Sequence, residues 1–216
     1  MQDLAVVTGM IIKAVPIGEY DRRLVLLTKE RGKISAFARG ARKPNSRFVA
    51  ATNLFCFGTF KLYQGRDSYT LAEAEISNYF EELRMDFEGA YYGMYFLEIA
   101  DYYTRENNDE REMLKLLYQS LRALSVPSLS HKLVRYICEL KSVIVNGEFP
   151  GIPADNNYLP ATEYTVDYIV NSSIEKLYTF TVTEEVLEEL RRIADKICKL
   201  CISSHFRSLE ILNTLE

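Results

Sequence analysis

At 216 residues, with 48% hydrophobic and 26% charged side chains, the chain is long enough for one large domain or two small ones and apolar enough to bury a proper core. No apolar run reaches the ~18 residues of a transmembrane helix. The start Met1-Gln2-Asp3-Leu4 lacks a signal peptide's basic, apolar pattern, and four scattered cysteines form no disulfide framework, so the cytoplasm is the expected location. Net charge is −4 but unevenly placed: residues 1–78 carry 12 Lys/Arg against 7 Asp/Glu, residues 79–216 carry 14 against 23.

The first 78 residues read as β. Ala5–Ala14 is rich in Val, Ile and Met, and Arg23–Thr28 is a short apolar run. Lys33–Arg39 alternates polar and apolar side chains, as a strand with one buried face does. Phe55–Tyr63 and Tyr69–Ile76 complete five candidates, several separated by turns at Gly18, Arg31-Gly32 and Gly65. Five short strands in so little chain suit a small closed barrel, because closure removes exposed edges. Strand count alone does not separate an OB-fold from an SH3-like barrel.

From about Ser77 the period becomes helical. Stripes fall at Phe87, Tyr91, Met94 and Leu97, and at Met113, Leu116, Leu117, Leu121 and Leu124, with Asp109 and Glu112 placed as a capping pair. A third stripe, Leu133, Val134, Ile137, Leu140 and Ile144, starts after Ser128 or Ser130 and stops at Asn146-Gly147. A fourth is Leu187, Leu190, Ala194, Ile197 and Cys201, and Ser208–Leu215 adds a short fifth. Such stripes need one another to hide their apolar faces, which predicts a helical bundle. Between the third and fourth, residues 147–181 hold Pro150, Pro153 and Pro160 and two alternating runs, Tyr164–Val170 and Lys176–Thr181, which predict an irregular loop followed by a small hairpin.

The densest chemistry lies in Asp21–Phe48. Between Lys29 and Arg47 stand seven cations, Lys29, Arg31, Lys33, Arg39, Arg42, Lys43 and Arg47, against the single acid Glu30. Cations on strand ends and a loop, with Gly40 allowing close backbone approach, suit phosphate binding. Single-strand binders add aromatic platforms; Phe37, Phe48, Phe55 and Tyr63 are available, although alternation buries several of them. Cys198-x-x-Cys201, followed by His205, has a spacing that could suggest metal, but both cysteines share the apolar face of the fourth stripe, which favours core. Phosphate-loop, dinucleotide and nucleophile-elbow motifs are missing. The pairs Glu184-Glu185 and Glu188-Glu189 open a helix, where negative charge suits the dipole.

Tyr20, Asp21, Thr28, Gly32, Ile34, the run Ala38–Lys43, Ser46, Arg47 and Phe48 together resemble the N-terminal module of the RecO family of bacterial recombination mediators, with weaker echoes at Leu71–Glu75 and His205–Glu210. The resemblance implies an α+β protein: an N-terminal five-stranded OB-fold barrel over 1–78 and a C-terminal helical bundle over 79–216, with 147–181 as an irregular insertion. It implies binding of single- and double-stranded DNA, annealing of complementary strands, and help in loading recombinase (indirectly RecA) with RecR onto strands coated by the single-strand-binding protein. It implies a cytoplasmic protein, at the nucleoid when engaged, with no membrane partner and no covalent chemistry. Lys33, Arg39, Arg42, Lys43 and Arg47 are the expected phosphate contacts, with Arg22, Arg23, Lys29 and Arg31 behind them. The acidic tail of the single-strand-binding protein is expected on the helical domain, where Lys132, Arg135 and Lys141 are candidates. Many members of the family carry a four-cysteine zinc module; the corresponding 147–181 has no cysteine or histidine, so no cofactor is expected. An RNA-binding OB module and a metal-dependent nuclease are the alternatives.

Overall fold

The computed structural model describes residues 4–66, 68–154 and 157–215; the first three residues, and Asn156 of the irregular loop, lie outside it. Two compact units emerge. One takes in the chain up to Glu81 together with Ala100–Leu114, the other Glu82–Ile99 together with the chain from Lys115 onward.

The first unit is built on β1 (Leu4–Ile17), β2 (Asp21–Thr28), β3 (Gly32–Ala38), β4 (Phe57–Gln64) and β5 (Tyr69–Asn78), closed in the order β1-β2-β3-β5-β4. That is the OB-fold. The long β1 serves two neighbours: Leu4–Met10 pairs with β4 and Gly9–Ile17 with β2, with an irregularity between Ile11 and Lys13. On β3 the two-residue period is strict, Ile34, Ala36 and Ala38 pointing into the core while Lys33, Ser35 and Phe37 face outward. Val7, Ile11, Leu24, Leu26, Phe60, Leu62 and Leu71 fill the interior. A short helix, α1 (Phe48–Ala51), lies between β3 and β4.

The seam between β3 and β5 is brief, with only Ala36↔Tyr69 and Phe37↔Thr70 in parallel register. The rest of the β3 edge is covered by chain far along the sequence. Lys33 N–H donates to Arg105 O at 3.0 Å, Asn107 N–H donates to Arg31 O at 3.0 Å, and Gly32 bridges Glu106 antiparallel. Gly32 has φ +63°, and a Cβ there would stand 2.4 Å from the Arg105 carbonyl oxygen, so only glycine lets this backbone through.

The remaining helices are α2 (Glu81–Met85), α3 (Phe87–Tyr103), α4 (Arg111–Leu124), α5 (His131–Val145), α6 (Pro160–Asn171), α7 (Glu184–Cys201) and α8 (Arg207–Leu215). The expected stripe on α4, Met113, Leu116, Leu117, Leu121 and Leu124, is buried, as are Leu187, Leu190, Ala194 and Ile197 of the stripe on α7, whereas its last member Cys201 is only half-buried. Ser130 Oγ caps α5 by accepting from Leu133 N–H, and Gly147, at φ +73°, follows its end. At the start of α4, Asp109 of the expected capping pair accepts from Arg111 N–H and pairs with its guanidinium, and Arg105 N–H donates to Glu110.

Two expectations are corrected. On α3 the core face is Tyr92, Tyr95, Phe96, Leu97 and Ile99; of the expected stripe Leu97 belongs to it, whereas Phe87 is exposed and Tyr91 and Met94 are half-buried. The helix is apolar nearly all round, so periodicity finds the helix but not its inward face. The expected hairpin is not formed either. Tyr164–Val170 lies inside α6, and the second run follows a single 3-10 turn at Ile174–Lys176. The alternation coincides with helical spacing at Thr162, Thr165, Val166 and Ile169, all buried. Pro160 sits in the first turn, and the Glu189 carboxylate on α7 accepts from Leu159 N–H and Thr162 Oγ1, so packing and capping override β propensity.

The helical unit buries charge. Arg135 Nε and Tyr95 Oη both donate to Glu139 Oε1, at 2.9 and 2.7 Å, and the Arg135 guanidinium lies over the rings of Tyr95 and Tyr136. Burial pushes the Glu139 carboxyl up despite Arg135. Lys141 Nζ donates to the carbonyls of Ile169, Val170 and Ser172, closing the end of α6. Arg135 and Lys141 are 5% and 6% exposed, so neither is the surface contact expected for an acidic tail; Lys132 is exposed.

Candidate nucleic-acid interface

The stretch joining β3 to α1, residues 39–47, is the most basic surface of the barrel, and the barrel pins it at several points. Asp21, the first residue of β2, accepts from Gly40 N–H at 2.7 Å, and Arg42 N–H donates to Tyr20 O at 2.8 Å. Gly40 has φ +64°, which lets the chain turn sharply between the two cation groups. Beyond the loop, Arg22 Nη1 donates to Thr52 O, Thr52 Oγ1 and Asn53 Oδ1 at 2.9–3.0 Å, holding the end of α1 to β2. A loop fixed in this way presents its side chains without a large ordering cost on binding.

The expected contacts divide into two sets. Arg39, Arg42, Lys43 and Arg47 are exposed. Arg42 Nη1 makes a long bond to Gly18 O at 3.4 Å, and Lys43 Nζ lies 5.6 Å from the centre of the Tyr20 ring. Arg47 stacks over Phe48 and donates to Ala72 O at 2.6 Å. Lys29 and Arg23 are also exposed, Arg23 with Nε on Ser35 Oγ. The second set is held within the barrel unit. Lys33 Nζ donates to Asp101 O and Oδ1 at 2.6 and 3.1 Å; Lys13 Nζ reaches the other Asp101 oxygen at 2.7 Å. Burial alone would raise the Asp101 carboxyl, but the two lysines together hold it below the usual carboxylate range. Arg31 Nη1 donates to Tyr69 Oη, and Arg22 is spent on α1.

The aromatics sort differently from expectation. Phe48 and Phe55 are buried, Phe37 is half-buried on the outward face of β3 opposite Arg23, and Tyr63 is exposed on β4. Tyr20, 41% exposed in the β1–β2 turn, is an exposed aromatic beside Lys43 and was absent from the expected set. Arg66, exposed in the β4–β5 connection, was also missed. Both lie in the loops that OB-folds use for oligonucleotides, which is the signal that would have found them. By contrast, the β4–β5 face carries Lys61 paired with Glu73 at 2.7 Å, a neutral arrangement.

Exposed guanidinium and ammonium groups on a fixed loop beside aromatic rings are the kind of surface that suits a polyanion. Among the described residues no group of three or more His, Cys, Asp or Glu side chains could hold a metal ion, and 147–181 offers no Cys or His, so the residues do not fit the family's zinc module. Burial raises the thiols of Cys198 and Cys201. No helix among the described residues is long and apolar enough to cross a membrane.

Residues 1–80 match the family described as "Recombination protein O N terminal", and residues 84–151 match "Recombination protein O C terminal". Curated relatives called "DNA repair protein RecO" include one from Acetivibrio thermocellus, 28% identical over 97% of this chain and 96% of its own length. Another, from Clostridium perfringens strain 13, is 28% identical over 96% of this chain and 97% of its own. A third, from Symbiobacterium thermophilum, is 35% identical over 68% of this chain and 58% of its own.

Proposed function

The chain belongs to the RecO family, and on that footing we propose that it serves DNA repair and homologous recombination by holding DNA on the 39–47 loop of its barrel. The observation that carries this reading is the pinned loop, which leaves Arg39, Arg42 and Lys43 exposed, Lys43 beside Tyr20. Phosphate neutralisation there acts on single and double strands alike and carries no base information. A protein that neutralises one strand lowers its repulsion for the complement, which is the physical basis for strand annealing. Loading of recombinase with RecR onto strands coated by the single-strand-binding protein follows from the family reading, with that protein's acidic tail on the helical unit, where Lys132 is exposed. These are binding and exchange steps with no bond made or broken.

The test is a titration of a single-stranded oligonucleotide at several salt concentrations. Replacing Arg42 and Lys43 together with Ala weakens binding at low salt and lowers the slope of log affinity against log salt by roughly 1.4, at about 0.7 per phosphate contact. The loss is similar across DNA sequences. Unchanged affinity and slope would overturn the reading, and stronger binding of single-stranded RNA than DNA would replace it with RNA recognition.

A further inference from the structure

The helical unit carries a groove that the DNA reading leaves unused. It lies between α6 and the segment Thr179–Thr183, has a volume of about 600 Å³, and is lined by Tyr164, Tyr168, Phe180 and Val186, with the hydroxyls of Thr165 and Thr181. Tyr168 stands edge-on to Phe180 with ring centres 5.2 Å apart, and its hydroxyl is tied to Lys176 O and Thr179 Oγ1, so this wall is fixed. Tyr164 opposite is 72% exposed, a large aromatic surface left to water.

The segment beside the groove behaves as a strand without a partner. Exposure alternates along it, with Thr179, Thr181 and Thr183 exposed and Tyr178, Phe180 and Val182 half-buried, a period of two. Thr183 has extended backbone angles. Among the described residues, no backbone group of Phe180, Thr181 or Val182 has a hydrogen-bond partner. Open backbone donors and acceptors beside an apolar groove are what strand addition uses: the main chain supplies affinity, and alternate side chains enter the groove. Charge selects the occupant. In sequence Glu163 and Asp167 adjoin Tyr164 and Tyr168, and Glu184 and Glu185 lie between Thr183 and Val186; all four are exposed, while of the nearby cations Lys176 precedes the segment and Lys115 is paired with Glu175.

We propose that this groove binds an extended peptide of alternating apolar and cationic side chains, added as a strand along Phe180–Val182. Its apolar side chains enter between Tyr164 and Phe180, and its cations face the acidic rim. The same rim repels phosphate, so this site is separate in chemistry from the loop on the barrel.

Hydrogen exchange of the full chain tests this, with an alternating Val-Lys peptide of ten residues as the probe. The expected result is saturable binding with slowed amide exchange at Phe180–Val182, and no such slowing with an alternating Val-Glu peptide or with the Val-Lys peptide N-methylated at alternate residues. Tyr164→Ala, at an exposed position, keeps the circular dichroism spectrum and weakens binding about tenfold, the scale of one lost aromatic anchor. Failure of the Val-Lys peptide to bind at millimolar concentration, equal binding by either control peptide, or exchange unaltered at Phe180–Val182 on saturation would overturn the proposal. So would protection of this segment by a single-stranded oligonucleotide.

Discussion

Two basic clusters of this chain meet opposite fates. On the barrel, Arg39, Arg42 and Lys43 ride a loop whose backbone is satisfied by Asp21 and Tyr20, so their side chains are left to solvent. On α5, Arg135 and Lys141 sit in a helix buried on nearly every side and are consumed by Glu139 and by the carbonyls at the end of α6. A cation becomes a ligand contact only where the backbone carries it outward and no internal acceptor reaches it. Local charge density says nothing of the second condition.

The contrast can be broken most severely on the helical side. Glu139→Ala takes from the buried Arg135 guanidinium its closest carboxylate, leaving Asp195 at 3.9 Å, and lowers the unfolding free energy by about 3 kcal/mol in urea titration, with the DNA salt slope unchanged. A loss below about 1 kcal/mol would mean that water or another acceptor takes over at Arg135.

Within the barrel, Lys33 on β3 and Arg39 in the loop that follows it sharpen the same distinction. Lys33→Ala removes two hydrogen bonds to Asp101 and costs roughly 1 kcal/mol of stability, with little change in salt slope. Arg39→Ala does the reverse: the slope falls by about 0.7, and stability stays within about 0.5 kcal/mol. Exchanged outcomes would put the DNA track on the outward face of β3 rather than on the loop.

The smallest effect is a pH dependence. The Asp101 carboxyl is depressed in the folded state, so its contribution to stability is present above its unfolded value near 4 and is lost as pH falls through the lower folded value. Asp101→Asn therefore flattens the acid limb of a melting-temperature profile below about pH 4 and leaves the neutral limb with a uniform loss. A profile still as steep as in the parent would assign the acid limb to other carboxylates.

The barrel was legible because period-two alternation on β3 coincides with inward and outward faces, and the helices because their apolar spacing is regular. Helix α3 hid its inward face since Tyr and Phe surround it, and α6 hid its type since its β-branched residues also fit a helix. The cations of the site were legible as a set, but their sorting was not. The acceptors that claim Arg22, Arg31 and Lys33 lie 30, 38 and 68 residues further along the chain, at Thr52, Tyr69 and Asp101. No local pattern reports a partner at that distance.

The patch of chain that covers β3 has a consequence for biosynthesis. Among the described residues, Lys33 N–H and Arg31 C=O find their partners in Arg105 and Asn107, so these bonds of the β3 edge await roughly thirty residues beyond the end of β5. At about 5–20 residues per second the ribosome takes roughly 2–6 s to make that length, during which β3 presents an uncovered edge to other nascent chains. A fragment cut after the fifth strand is left permanently in that condition, and seeks in a second copy of itself the strand it was denied.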